Sequence, residues 1–314
     1  MDTQQLQREV ILSVEGMTKR YGKNNVVSNA SFQLERGKIY GFIGQNGAGK
    51  TTIIRMLAGY AKLNAGRVTI FGQSTEKGLA EGRKKMGIIV ENPALYKNMS
   101  AYDNIEIQKT LYGIKSDTLT EELLQLVGLA NIGKRKVKNF SLGMRQRLGI
   151  AMALVNSPEI LILDEPVNGL DPVGIVEIRE LLLKLNRERN ITILISSHIL
   201  SELYQLATDY IIIHRGCILE KLTLEQLDQK CASYIVVQTE ERETAKAVLA
   251  QMGVTNIEDG DNNFFRFRGN YDVKEVARRL MEEKILLTHF SLQTESLENY
   301  FVKLIGGETN GQVV

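Results

Sequence analysis

Long apolar runs are missing from this chain of 314 residues. Stretches such as Ile160–Leu163 and Tyr210–Ile213 fall far short of the ~20 residues that cross a bilayer, so any membrane role must come through a partner. The opening residues, Met1-Asp2-Thr3-Gln4-Gln5-Leu6, lack the apolar core of a secretory signal, and no leader is expected. Cysteine is scarce. Cys217 and Cys231 stand without the paired spacing of a metal or redox site, which fits reduced thiols in a cytosolic setting. An excess of one charge is missing as well: a net charge of +2 leaves no basic footprint, and nucleic acid is not expected as a partner.

What the chain does have is a loop built for phosphate. Gly44-Gln45-Asn46-Gly47-Ala48-Gly49-Lys50-Thr51-Thr52 follows the short apolar run Lys38–Ile43 and leads into the helical pattern Ile53–Leu57. That strand–loop–helix context is what a phosphate-binding loop requires. The glycines let successive backbone N–H groups turn inward around a β-phosphate, at a helix N-terminus whose dipole already favours anions. Lys50 is placed to reach the β/γ-phosphates and the Thr51 hydroxyl to ligate Mg²⁺.

A second cluster follows later. Glu159–Leu163 reads as a strand buried on both faces, and it ends on the carboxylates Asp164 and Glu165. In α/β sheets the carboxyl edge is where ligands bind. Asp164 suits Mg²⁺ and Glu165 suits taking a proton from an attacking water. The next buried strand, Ile191–Ile195, delivers His198 to the same edge, in reach of a γ-phosphate. Two other positions carry two readings each. Tyr21 is an exposed aromatic at a loop that could stack on adenine, or a strand-edge tyrosine. Ser141 with the Gly143 backbone forms a second anion site, or Ser141 merely caps a helix running to about Val155. Asp171, before Pro172, is locally an N-cap.

In order and spacing these motifs resemble the nucleotide-binding subunit of an ATP-binding cassette (ABC) transporter, over roughly residues 9–221. The match covers the stacking aromatic Tyr21, the Walker A loop 44–52 and the signature Phe140–Met144. It continues through Walker B Leu161–Glu165, the D-loop Asn168–Asp171 and the switch histidine His198. The resemblance implies a mostly parallel α/β core, an antiparallel β subdomain and a helical subdomain near 92–157. It also implies ATP and Mg²⁺ as ligands, a separate transmembrane permease, and a place at the cytoplasmic face of the membrane. Two copies would close head to tail, with Ser141, Gly143 and Asp171 serving the partner's ATP. Soluble ATPases of the family that act on DNA or ribosomes carry long coiled-coil insertions or a second cassette, which this chain lacks. A module that binds ATP without hydrolysing it is the other alternative, and Glu165 and His198 argue against it.

Two departures from the family pattern stand out. Phe140-Ser141-Leu142-Gly143-Met144 replaces Leu-Ser-Gly-Gly-Gln, keeping the serine and second glycine. Glu91 stands where most members have a glutamine that contacts Mg²⁺ and faces the membrane subunit. Both features are similar to transporters that protect bacteria against bacitracin and lantibiotics. A carboxylate binds hard Mg²⁺ more strongly than an amide but adds charge near Asp164 and Glu165. Glu91→Gln is expected to leave ATP binding intact and to change hydrolysis or its coupling.

Beyond the cassette the pattern changes. Residues 222–232 read as a linker helix, and 233–306 as an accessory α+β domain in the order β-α-β-β-α-β, the ferredoxin-like arrangement. Its strands are expected at 234–238, 254–258, 263–268 and 285–290. Residues 1–8 and 307–314 read as flexible ends. The accessory domain shows no chemistry of its own: His289 is isolated, and its role is left between dimer contacts, regulation and a passive cap.

Overall fold

The computed structural model describes residues 9–260, 263–269, 271–294 and 296–306, so the two ends, 1–8 and 307–314, lie outside the described residues. Two compact units divide between Leu224 and Glu225.

The first unit begins with two long strands, β1 (Val10–Tyr21) and β2 (Asn24–Glu35), paired antiparallel about a turn with Gly22 at φ 58. Tyr21 therefore ends a strand, opposite Asn24, instead of lying in a loop. The extension follows from the tight turn, in which positive φ is easy for glycine. Then come β3 (Ile39–Ile43), the phosphate loop and α1 (Lys50–Leu57). The next strand, β4 (Ala65–Ile70), returns to pair with β1 in a three-stranded sheet of order β2-β1-β4. After α2 (Glu76–Lys84) and β5 (Met86–Ile89) the chain builds its helical subdomain. This consists of α3 (Ala101–Tyr112), α4 (Leu119–Leu126) and α5 (Leu142–Leu154). Ser100 and Asp103 form a capping box at the start of α3, satisfying N–H groups that a helix leaves open.

The chain then returns to the sheet through β6 (Ile160–Asp164), α6 (Pro172–Arg189), β7 (Thr192–Ser197), α7 (Leu200–Tyr204), β8 (Asp209–His214) and β9 (Cys217–Thr223). The six-stranded sheet has the order β5-β6-β7-β3-β8-β9, parallel except for the β8–β9 hairpin. Ile160 through Leu163 are fully buried, as a strand covered on both faces should be. At roughly 1.5–3 kcal/mol per buried aliphatic side chain, this strand, next to the edge strand β5, contributes much to the unit's stability. Phe32 of β2 meets Phe42 of β3 with ring centroids 5.9 Å apart, joining the antiparallel and parallel sheets in one core.

The second unit opens with α8 (Leu224–Lys230), whose start falls after β9 and not inside it, so residues 222 and 223 are strand. Its elements are β10 (Ser233–Gln238), α9 (Arg242–Gln251), β11 (Ile257–Asp259), β12 (Phe264–Arg268), α10 (Val273–Glu282), β13 (His289–Thr294) and α11 (Leu297–Leu304). The four strands pair antiparallel in the order β11-β12-β10-β13.

Two of these strands begin later than the apolar pattern suggests, for one reason. Val254 N–H bonds to Leu249 O at 3.0 Å and Gly253 N–H to Ala250 O at 3.0 Å, with Gly253 at φ 83. Ile285 N–H bonds to Leu280 O at 3.1 Å and Lys284 N–H to Met281 O at 2.9 Å, with Lys284 at φ 60. Both are Schellman closures, in which an apolar residue just past the helix folds back onto it. Val254 and Ile285 thus terminate helices; they do not open strands.

Candidate functional site

Register decides what meets at the carboxyl edge of the large sheet. Within β3, Phe42 lies opposite Ser196 of β7 and Ile43 opposite Ser197, while Asp164 of β6 lies opposite Ser196 on the other side. The phosphate loop, the two carboxylates and His198 therefore leave three neighbouring strands at one level.

Within the loop, Gly47 and Gly49 take φ 81 and φ 107, a region costly for any residue with a Cβ, and Gly49 is the N-cap of α1. Gln45, Asn46 and Gly47 are exposed, Ala48 is buried, and Thr51 and Thr52 are half-buried in the first turn of α1. Gly44 is glycine for lack of space, since a Cβ there would stand 2.5 Å from the Ile213 carbonyl oxygen. Lys50 is 4% exposed. Its ammonium donates to Gly44 O at 2.6 Å and Gln45 O at 3.3 Å, and lies 3.3 Å from Glu165 Oε1. A buried ammonium needs such oxygens.

Asp164 is 1% exposed. Its Oδ1 accepts from the Ser196 hydroxyl at 2.6 Å, while Oδ2 is buried without a hydrogen-bond partner. Such an orphan in a native site asks for an ion or a water. The same Ser196 oxygen accepts the Glu165 N–H at 2.9 Å, so one buried hydroxyl holds both carboxylate residues. Glu165 itself sits at φ 47, an uncommon conformation for a residue with a side chain and one found at functional sites. His198 Nδ1 lies 3.1 Å from its Oε2, and the Asn168 amide donates to the same oxygen at 3.3 Å.

Ser141 and Gly143 lie in the signature and Asp171 ends the D-loop, two segments that adjoin. The Ser141 hydroxyl accepts from Met144 N–H at 3.2 Å and caps α5; the Asp171 carboxylate accepts from Gly174 N–H at 3.0 Å and caps α6. A Cβ on Gly169 would stand 3.3 Å from Leu142 Cδ2, so the signature and the D-loop touch within one chain. Tyr21 is 48% exposed, with the Lys19 ammonium 4.8 Å from its ring centre. Glu91, at φ 59, pairs with Arg55 of α1 at 2.8 Å, a partner that motif reading does not supply.

Ser196 is the functional residue that sequence reading passed over. Its only signal was its place at a strand end beside His198. Two cavities flank the loop after Glu91. One of about 390 Å³ takes in Asn92, Pro93 and Tyr112, and one of about 850 Å³ takes in Met99, Tyr102 and Leu124.

A family model described as ABC transporter matches residues 27–168. The chain is 42% identical to the bacitracin transport ATP-binding protein BcrA of Bacillus licheniformis over 303 residues, 96% of this chain and 99% of that protein. It is 47% identical to the lantibiotic transport ATP-binding protein SrtF of Streptococcus pyogenes over 212 residues, 67% of this chain and 90% of that one. Among solved structures, cbiO1 of Clostridium perfringens, part of the ABC transporter complex cbiONQ, superposes with a TM-score of 0.64. It covers 78% of this chain and 96% of its own at 24% identity, a likeness of fold alone.

Proposed function

The chain belongs to the ABC transporter family as an ATP-binding subunit, and on that premise we propose that it hydrolyses ATP to ADP and phosphate to drive a separate permease. The observation that carries this reading is the meeting of Lys50, Asp164, Glu165 and His198 at one strand edge, with Ser196 binding the two carboxylate residues together.

Lys50 exchanges its carbonyl oxygens for β/γ-phosphate oxygens, and the loop N–H groups close around the β-phosphate. Glu165, freed from Lys50, accepts the proton of the attacking water, with His198 and Asn168 fixing the carboxylate that receives it. Lys50 and His198 then stabilise the charge on the transferred phosphoryl group. The orphaned Asp164 Oδ2 and the Thr51 hydroxyl suit Mg²⁺, a hard ion that takes one or two protein oxygens and completes its shell from phosphate and water. Among the described residues no group of three or more His, Cys, Asp or Glu side chains could hold a metal, which agrees with such a shared shell. When bound, Mg²⁺ neutralises charge on the β- and γ-oxygens. Glu91 is the further candidate ligand, its Oε1 held by Arg55 at 2.8 Å.

Ser141, Gly143 and Asp171 act on the ATP of a second copy in a head-to-tail homodimer. The exposure of the N-caps Ser141 and Asp171 on two adjoining segments supports this, since helix N-termini favour anions. Among the described residues no helix is long and apolar enough to cross a membrane. The subunit is held at the cytoplasmic face by the permease, which docks over the two cavities after Glu91. There Met99 and Tyr102 are 38% and 42% exposed, and such apolar surface marks interaction sites. The names of the bacitracin and lantibiotic relatives favour a peptide antibiotic as cargo, moved by export or extraction. The test is ATPase activity of the subunit purified with its permease. Bacitracin or a lantibiotic is expected to raise turnover; unchanged turnover with either would remove the peptide-antibiotic assignment.

A further inference from the structure

The rear of the phosphate loop rests on the turn of the β8–β9 hairpin, His214-Arg215-Gly216-Cys217. Gly216 N–H donates to Ala48 O at 2.9 Å, and Gly216 O accepts from Ser28 N–H of β2 at 2.9 Å. One residue thus bonds the phosphate loop on one side and the antiparallel sheet on the other. The packing there is backbone against backbone. Gly216 sits at φ 81, and a Cβ on it would collide with the Val26 carbonyl oxygen. That same carbonyl oxygen is 3.0 Å from where a Cβ on Gly49 would stand. Arg215, just before, is also in the left-handed region, at φ 45, so the turn is specified at two successive positions.

What lies at the start of β2, a few residues before Ser28, gives this contact its meaning. The strand pairs with β1 up to Tyr21, which stands opposite Asn24. From Tyr21 the path runs along β2 to Val26 and Ser28, across Gly216, and into Ala48 and Gly49. We propose that Gly216 is a positioning residue that sets the span between the base platform at Tyr21 and the phosphate loop. Its two backbone hydrogen bonds keep the purine end and the phosphate end of one nucleotide in register. The inference rests on the reading of Tyr21 as the adenine platform. It assigns the adjoining hairpin turn a part in nucleotide affinity through geometry, with no contact to the nucleotide.

The test compares two ligands of the full chain by calorimetry, MgATP and magnesium tripolyphosphate, the second having phosphates without a base. Gly216→Ala is expected to weaken MgATP about tenfold, the worth of one base–aromatic stack, and to leave tripolyphosphate within about twofold. A merely structural defect in the loop would weaken both ligands alike, and that result overturns the proposal, as does no change in either. Should Gly216→Ala fail to fold, Arg215→Gly loosens the same turn without adding an atom. It is expected to show the same selectivity at smaller size, and equal losses or none would overturn the proposal. Tyr21→Ala separates the underlying reading from the inference. It must weaken MgATP and spare tripolyphosphate; if it spares both, the base platform falls and the inference with it. If Tyr21→Ala behaves as expected while Gly216→Ala weakens both ligands equally, the inference alone falls.

Discussion

At the amino ends of the parallel strands, charges are met by opposite charges. Arg36 lies 2.8 Å from Glu9 and 2.6 Å from Glu159, Lys85 reaches the other oxygen of Glu159 at 3.0 Å, and Lys38 stands 2.9 Å from both Asp209 and Glu35. Burial pushes the Tyr40 hydroxyl up to about 12, so it stays neutral and accepts the Glu35 N–H at 2.8 Å. At the carboxyl ends of the same strands, Asp164 keeps a buried oxygen without a partner and Glu165 holds a left-handed backbone. Lys50 there is shared between two carbonyl oxygens and the Glu165 carboxylate. One sheet therefore has an end that is electrostatically complete and an end that is waiting. Polar groups left wanting mark the edge at which a ligand supplies what is missing.

Substitutions at the two ends should separate binding from stability. The largest effect belongs to Lys50→Ala at the carboxyl end. It removes a charge-assisted hydrogen bond to phosphate, typically about 1.5–3 kcal/mol, so ATP should bind roughly 10- to 100-fold more weakly by calorimetry while the melting temperature holds. Glu159→Ala at the amino end should do the opposite. Its carboxylate is about one-third exposed, so the loss is about 1 kcal/mol, read by urea unfolding, with ATP affinity unchanged. A change in ATP affinity there would break the comparison.

The smallest effect is one of pH. Burial pushes the Glu159 carboxyl up, but hydrogen bonds from Arg36 and Lys85 outweigh it and hold the group below the usual carboxylate value of 4.5. A depressed carboxylate contributes stability that is whole above its unfolded value and lost as the pH falls through the folded one. Acid below about pH 4.5 should therefore cost wild type more than Glu159→Ala, measured by melting curves on both. Parallel curves would remove Glu159 as a source of that sensitivity.

Much of the site was legible because its chemistry is local. Gly44–Thr52 carries its own instructions, as does the Asp164-Glu165 pair after a buried strand, since each depends on a few consecutive residues. What the sequence could not show depends on register. Ser196 bridges Asp164 and Glu165 only because β7 lies between β6 and β3, an order written in no single segment. The Arg55–Glu91 pair joins a helix to a distant turn and is invisible for the same cause. In the second unit, the apolar runs at Val254 and Ile285 suggested strands, yet backbone closure of the preceding helices claimed their first residues. Periodicity reports that a residue is buried, not which element buries it.

Phosphate release by Glu165→Gln, measured under single-turnover conditions with MgATP, tests the central claim most directly. Removing a general base typically costs 10²–10⁴-fold, so the variant is predicted to bind ATP, accumulate as a closed dimer and release phosphate at least ~100-fold more slowly than wild type. Phosphate released at the wild-type rate would contradict the assignment of Glu165, and with it the reading of the carboxyl edge as the place where ATP is cut.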